Sequence, residues 1–325
     1  MSKALGLLSG GLDSSLAALS LKRQGVDVTC ITFSTPFFGA SRARQSAEQM
    51  DIPLIVQNIS EIHLEMIKKP RYGYGKNMNP CIDCHAMMFR LAGERMATDG
   101  FDFLFSGEVL GQRPMSQNAR ALNSVANYSG YPDRILRPLS AKLLPMTPME
   151  ENGLVDREQL LDIQGRSRKP QEALAKVWDL KDYAAVGGGC LLTEKSFSNR
   201  LRDLFEHNPE ATVVEAEMLK AGRQFRLSPK TKLILGRKHT DNDRIKELAR
   251  SEDIQMRADN FTGPLGLVTG EATPEELATA AALVATYGKG KDEKQVEVLL
   301  QQNEKTWTLT VSPVDREQAK KFLID

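Results

Sequence analysis

Ser9-Gly10-Gly11-Leu12-Asp13-Ser14-Ser15 stands between a short apolar run, residues 4–8, and an amphipathic segment over 13–24. A strand that passes into a helix through two glycines decides the fold. Glycine lets the chain turn tightly and lets backbone approach a ligand with no Cβ in the way. The N–H groups of the helix start then face whatever anion sits there. Ser9, Ser14 and Ser15 add hydroxyl donors, and Asp13 can hold a magnesium ion (Mg2+) through its carboxylate. No Gly-Lys-Ser/Thr follows, so this is not a Walker loop, and the spacing is not Gly-x-Gly-x-x-Gly. The same residues also suit a plain Gly-Gly turn with an Asp opening a surface helix.

Outward from that loop, strand-like stretches (26–33, 53–58, 101–105) alternate with helix-like ones (41–50, 82–100). Such alternation predicts an α/β fold: a doubly wound parallel sheet with helices on both faces. Ligands in such sheets bind at the carboxyl ends of the strands. The cofactor-binding candidates are therefore Ser9, Gly10, Gly11, Asp13, Ser14 and Ser15, with Phe33, Ser106 and Gly107. Residues 111–169, rich in Pro, Arg, Ser and Asn, read as a long basic loop with a helix-like stretch at 157–163. Arg113, Arg134, Arg137, Lys142 and residues 166–169 in and around it are candidates to guide RNA or pyrophosphate. A helix over 171–183 follows. Beyond 205–209 come short β-like runs (225–227, 233–235, 265–269, 307–311) with helices over 241–250 and 274–287. A boundary near 196–210 predicts domains over 1–200 and 205–325, the second a smaller α+β domain.

The chain has 325 residues, 43 Lys and Arg against 42 Asp and Glu, a net charge of +1, 41% hydrophobic and 26% charged residues. That is ordinary globular composition, long enough for two cores, and whole-chain charge points to no partner. Four cysteines are too few for a disulfide scaffold. No stretch approaches a membrane span, and the N-terminus, MSKALGLLSGGLDSS, lacks a signal-peptide pattern. The expected location is cytoplasmic.

Cys81-Ile82-Asp83-Cys84-His85 opens a helix after Asn79-Pro80, and Cys190 follows Gly187-Gly188-Gly189. A Cys-x-x-Cys at a helix start brings two sulfurs to one centre, where the dipole favours thiolate. Three thiolates suit a zinc ion with one open position or three corners of a [4Fe-4S] cluster. Asp83 is a candidate acid or base, or simply a carboxylate favoured at a helix start. Cys30, within an apolar strand, reads as a core residue, and His63 and His85 show no partner pattern.

The Ser-Gly-Gly-x-Asp-Ser-Ser loop resembles the signature of the PP-loop ATP pyrophosphatases. That resemblance implies a Rossmann-like fold of the adenine nucleotide alpha hydrolase type. It also implies ATP cleaved between its α and β phosphates, activating a carbonyl oxygen by adenylation. Residues 78–89, around Asn79-Pro80-Cys81-Ile82-Asp83-Cys84, resemble the Asn-Pro-Cys-x-x-Cys-Asn segment of tRNA 2-thiouridine synthases. Ser106-Gly107-Glu108-Val109-Leu110-Gly111-Gln112 is similar to the Gly-Asp/Glu-x-Leu-Gly-Gln segment of tRNA 4-thiouridine synthases. Three-cysteine members of these families bind incoming sulfur on a [4Fe-4S] cluster. Members with Asp at the first position use the other two cysteines as a persulfide and disulfide pair. The resemblance with Cys81 at that position implies a cluster on Cys81, Cys84 and Cys190, with Asp13, Cys81, Cys84, Cys190 and Asp83 as catalytic candidates.

In the second part, Lys220, Arg223, Arg226, Lys230, Lys232, Arg237, Lys238, Arg244 and Lys246 face only Asp241 and Asp243 within residues 220–246. The first eight are the RNA-binding candidates, although a solvated charged face would show the same composition. Residues 236–245 and the order of elements over about 212–300 resemble the NFACT RNA-binding domain. That family's aromatic Asp-Ile-Trp-x-His element is here Asp253-Ile254-Gln255-Met256-Arg257, which weakens any base stacking there.

Together these readings predict an ATP-dependent tRNA thiolase, with ATP, Mg2+ and a [4Fe-4S] cluster as cofactors. Its partners would be tRNA and a sulfur donor: a desulfurase, a carrier protein or free sulfide. The alternatives are sulfur insertion into a small molecule or cofactor, and an RNA-binding module whose ATP site is regulatory.

Overall fold

The computed structural model describes residues 1–183 and 189–325, and the chain divides into two compact units, Met1–Leu191 and Leu192–Asp325. The first unit runs β1 (Lys3–Leu7), α1 (Leu12–Lys22), β2 (Asp27–Ser34), α2 (Ser41–Gln49), β3 (Leu54–Asn58) and α3 (Ser60–Lys68). It continues with α4 (Cys81–Asp99), β4 (Phe103–Ser106), α5 (Ala119–Ser129), β5 (Ile135–Leu136), α6 (Pro148–Glu151) and α7 (Lys169–Val177). All five strands pair in parallel in the order β3-β2-β1-β4-β5. The order reverses between β1 and β4, so the crevice where such sheets bind ligands opens at the ends of those two strands.

Side chains alternate between two cores, as period-2 geometry requires. Ala4 of β1, Val28 and Cys30 of β2, and Phe103 and Phe105 of β4 pack with Leu12 and Leu16 of α1, Ala43 and Ala47 of α2, and Ala175 of α7. Leu5, Ile31, Phe33 and Leu104 pack on the other face with Phe89, Ala92 and Met96 of α4 and Val125 of α5. Cys30 is a core residue, and burial pushes its thiol up to about 12.

The polar stretch 111–169 is not one loop. It holds α5, whose Ala121, Leu122, Val125 and Ala126 are buried, and the edge strand β5. Its Asn- and Ser-rich outer face masks that helical spacing, whereas the expected helix at 157–163 is a single 3-10 turn, Arg157–Gln159.

The second unit comprises α8 (Lys195–His207), α9 (Val213–Met218), β6 (Arg223–Ser228), β7 (Thr231–Leu235), α10 (His239–Leu248) and β8 (Ile254–Ala258). Then follow β9 (Gly266–Gly270), α11 (Pro274–Thr286), β10 (Val296–Gln302), β11 (Lys305–Val311) and α12 (Arg316–Lys320). Its six strands are antiparallel in the order β11-β10-β8-β9-β7-β6. Leu233, Val268 and Val298 pack against Ala280, Leu283 and Val284 of α11. On the opposite face Ile234 and Leu267 meet Met218 of α9 and Ile245 of α10. Among the described residues no helix is long and apolar enough to cross a membrane.

Gly6 lies opposite Phe105, where a Cβ would come within 2.0 Å of the ring. Overpacking of this kind costs about 1–3 kcal/mol, so Gly6→Ala should lower the urea midpoint accordingly, with the slope of the transition unchanged.

Candidate active site

The loop between β1 and α1 is shaped by contacts only glycine allows. Gly10 has φ +74°, and a Cβ there would stand 2.3 Å from the carbonyl carbon of Arg42 at the start of α2. Gly11 is the N-cap of α1 and offers no capping side chain, which leaves the first N–H groups of the helix facing the crevice. Across the switch point Gly107 lies so close that a Cβ would stand 2.4 Å from the Asp13 carbonyl carbon and the Ser14 nitrogen.

Asp13 Oδ2 accepts hydrogen bonds from Gln112 Nε2 at 2.9 Å and Arg168 Nη2 at 3.1 Å. Its Oδ1 is buried with no partner among the described residues. A buried carboxylate oxygen left over beside an uncapped helix start fits a magnesium ion bridging to phosphate. Ser9 is exposed at the loop and sits 3.1 Å, Oγ to Oγ, from Ser14, which donates to the Gly11 carbonyl at 2.9 Å. Ser15 differs from the expectation. It is fully buried, and its hydroxyl joins the Gly11 carbonyl to Ser46 Oγ at 2.7 Å, tying α1 to α2 rather than facing a ligand. Phe33 is likewise a core ring, because β2 turns it to the α4 face.

Cys81 and Cys84 open α4, and the Cys190 thiol is near enough to act on Cys84. Asn79 Nδ2 donates to Cys81 Sγ at 3.3 Å. His63 of α3, fully buried, places Nε2 3.2 Å from Cys84 Sγ and packs its ring against Phe37 and Phe38. Burial holds His63 down at about 4, so its imidazole is neutral. The Phe37 carbonyl accepts from Leu191 N–H at 3.0 Å, which draws the Cys190 segment to the same place. Burial first, then the Cys190 and Cys81 thiols and Asp83, push the Cys84 thiol well above its usual value. Thiols that raise one another are the donor set whose charge an iron or zinc ion relieves. Among the described residues, no three His, Cys, Asp or Glu side chains are placed to hold a metal ion. Gly187 and Gly188 lie outside the described residues; Gly189 has φ +59° and lies against the Arg42 guanidinium.

Asp83, the acid or base candidate, has both oxygens engaged. It is buried, and its two oxygens accept from Arg71 N–H at 2.8 Å and Tyr72 N–H at 3.0 Å, bracing the segment before the Cys-x-x-Cys. His85 does have a partner, Glu108 Oε1 at 2.8 Å. Glu108 Oε2 in turn receives Arg137 Nε at 3.0 Å and the Ser106 hydroxyl at 3.2 Å. Burial raises Glu108, yet Arg137 and then His85 outweigh it and hold the carboxyl at about 2. Arg137 is thus a buried counter-ion, not an RNA guide. Arg134 donates to the Asp102 carbonyl and Lys142 to that of Glu158. Gln112 and Arg168 both lie in segments the sequence singles out, but that Arg168 meets Asp13, 155 residues away, has no local signal.

In the second unit the basic run is largely paired. Arg226 and Lys232 both meet Asp203, Lys220 and Arg244 meet Glu217, Lys230 meets Glu271 and Arg237 meets Asp241. Lys232 is buried, and burial brings it down to about 8. Arg223 lies 4.6 Å over the Tyr287 ring, and Lys238 is exposed.

A family model described as thiamine biosynthesis protein (ThiI) matches residues 1–142, and one for the NFACT protein RNA binding domain matches residues 222–323. The ThiI match thus falls within the first unit and the NFACT match within the second. Among curated relatives, a tRNA-specific 2-thiouridylase of Herpetosiphon aurantiacus is 34% identical over 34% of this chain and 36% of its own. A probable tRNA sulfurtransferase of Finegoldia magna is 34% identical over 43% and 36%. The chain therefore spans about a third of the length of these relatives. A solved 4-thiouridine synthetase–RNA complex with bound ATP aligns at 21% identity over 58% of this chain and 45% of that one, with a TM-score of 0.36.

Because Glu108 is held near 2 when folded, against about 4.5 otherwise, it stabilises the fold above pH 4.5 and loses that contribution as pH falls toward 2. The contribution is on the order of 3 kcal/mol. Melting curves across this range should show wild type losing its advantage over Glu108→Gln as the pH falls.

Proposed function

We propose that the protein thiolates tRNA, using ATP to adenylate a uridine carbonyl oxygen and sulfur to displace AMP. One observation carries this: the phosphate loop and the thiol-bearing helix meet across two adjacent residues. Gly107 lies on Asp13 and Ser14, and Glu108 holds His85, the residue after Cys84. ATP phosphates would lie on the α1 start and Ser9, with Mg2+ on Asp13 Oδ1. Donors fixed in advance around developing negative charge are the main source of acceleration in such a site. Cys81, Cys84 and Cys190 would hold a [4Fe-4S] cluster, whose iron without a protein ligand supplies a place for incoming sulfur. The names of the relatives and the RNA-binding domain support tRNA as the substrate, and a uridine would leave its stack to reach the site. Sulfur would come from a desulfurase, a carrier protein or free sulfide.

The test is anaerobic incubation with ATP, Mg2+ and sulfide, with and without tRNA. Pyrophosphate release that requires tRNA, together with sulfur in the tRNA, is expected. Release indifferent to tRNA would turn the reading to a small-molecule acceptor, and no release to a binding protein. Asp13→Asn should slow pyrophosphate release by about 100-fold, the usual loss on removing one group that stabilises transition-state charge. Purified without oxygen, the protein should carry about four iron and four labile sulfide per chain. Cys81→Ala should lose them, and an iron-free wild type would remove the cluster from the mechanism.

A further inference from the structure

Immediately ahead of the Cys-x-x-Cys runs Lys68-Lys69-Pro70-Arg71-Tyr72-Gly73-Tyr74-Gly75-Lys76, with four cations, two tyrosines and no acid. Soluble proteins seldom leave several aromatic rings in the open beside a guanidinium unless something lands on them. Here Tyr72 is 43% and Tyr128 of α5 41% exposed. The Arg71 guanidinium lies 5.0 Å from the Tyr128 ring centre and 5.8 Å from that of Tyr72, and the two rings are 5.7 Å apart at 61°.

This surface is built. Asp83, between the two cysteines, fixes the backbone of Arg71 and Tyr72. Gly75 N–H donates to the Asn79 carbonyl, and Asn79 donates to Cys81 Sγ. Tyr74 ties its hydroxyl to the Ile67 carbonyl at 2.6 Å. Of the cations, Lys68 is paired with Glu65 at 2.7 Å, while Lys69, Arg71 and Lys76 are exposed. The rings are therefore held in place from the same short stretch of chain that bears the thiols.

We infer that Arg71, Tyr72 and Tyr128 form a stacking platform that takes an unpaired base of the RNA beside the thiol centre. The inference rests on the tRNA reading above and names a part of the site that would grip the substrate. Aromatic rings with a neighbouring guanidinium match the π-face and the phosphate of an unstacked nucleotide, and the surrounding cations match its backbone.

Fluorescence anisotropy with the full-length protein tests this, using a tRNA transcript, a uridine-containing RNA stem–loop and the same stem with an abasic loop. Wild type is expected to bind the first two well and the abasic loop about ten-fold more weakly, the effect of one lost stack. Tyr72→Ala with Tyr128→Ala should bring the intact RNAs to that weaker affinity. Tyr72→Phe with Tyr128→Phe, which keeps the rings, should restore it, and unchanged melting temperatures would show both variants folded. If wild type binds and the alanine pair binds equally well, or the abasic loop binds as tightly as the intact one, the platform is overturned while the tRNA reading stands. A wild type that binds none of the three RNAs would overturn the tRNA reading and the platform with it.

Discussion

Two backbones in contact organise the first unit. Gly107 presses on the peptide between Asp13 and Ser14, at the point where strand order reverses. Any side chain at 107 would push the start of α1 away from the end of β4 and with them everything they carry. The contact puts Gln112 within reach of Asp13, and it puts Glu108 where His85 can meet it. One atomic approach thus fixes the position of the Asp13 carboxylate and of the thiol-bearing helix.

Electrostatics in the crevice pull in opposite directions. Glu108 is ionised because Arg137 and His85 overcome its burial. Cys84, the residue before His85, is driven toward the neutral thiol by burial and by its fellow thiols. The partial positive charge at a helix start, about half an elementary charge, does not prevail against both. A bound cation reverses such a balance outright, since a coordinating thiol is deprotonated. If the proposed cluster forms on Cys81, Cys84 and Cys190, its binding would release the protons these thiols otherwise keep.

The strand–helix alternation, the glycine loop after β1 and the helix opening at Cys81 are legible in the chain because each is local: spacing, glycines and caps within a few residues. Tertiary pairing is not. Asp83 looks like a free carboxylate until Arg71 and Tyr72 fold back on it, and Arg137 looks like a surface cation until Glu108 is beneath it. Ser15 and Phe33 belong to candidate stretches but point inward, a choice made by helix phase and strand parity. In the second unit a window over 220–246 counts Asp241 and Asp243 but misses Asp203, Glu217 and Glu271, which lie outside it. The strand β8 does alternate, Ile254-Gln255-Met256-Arg257-Ala258, but five residues are too short a run to stand out.

That pairing bears on how the proposed RNA recognition would work. Cations already engaged with carboxylates release few counterions, and counterion release is the sequence-independent source of affinity for nucleic acids. Near-neutral net charge points the same way. Affinity then has to come from contacts that do not depend on charge excess. In the first unit, aromatic faces held beside a guanidinium provide one, and they are anchored through Asp83 to the helix start that carries Cys81 and Cys84. A base gripped there would be selected for being unpaired, which would also be the condition for its carbonyl oxygen to reach ATP and sulfur. Recognition and chemistry would then share one requirement, a nucleotide out of its stack.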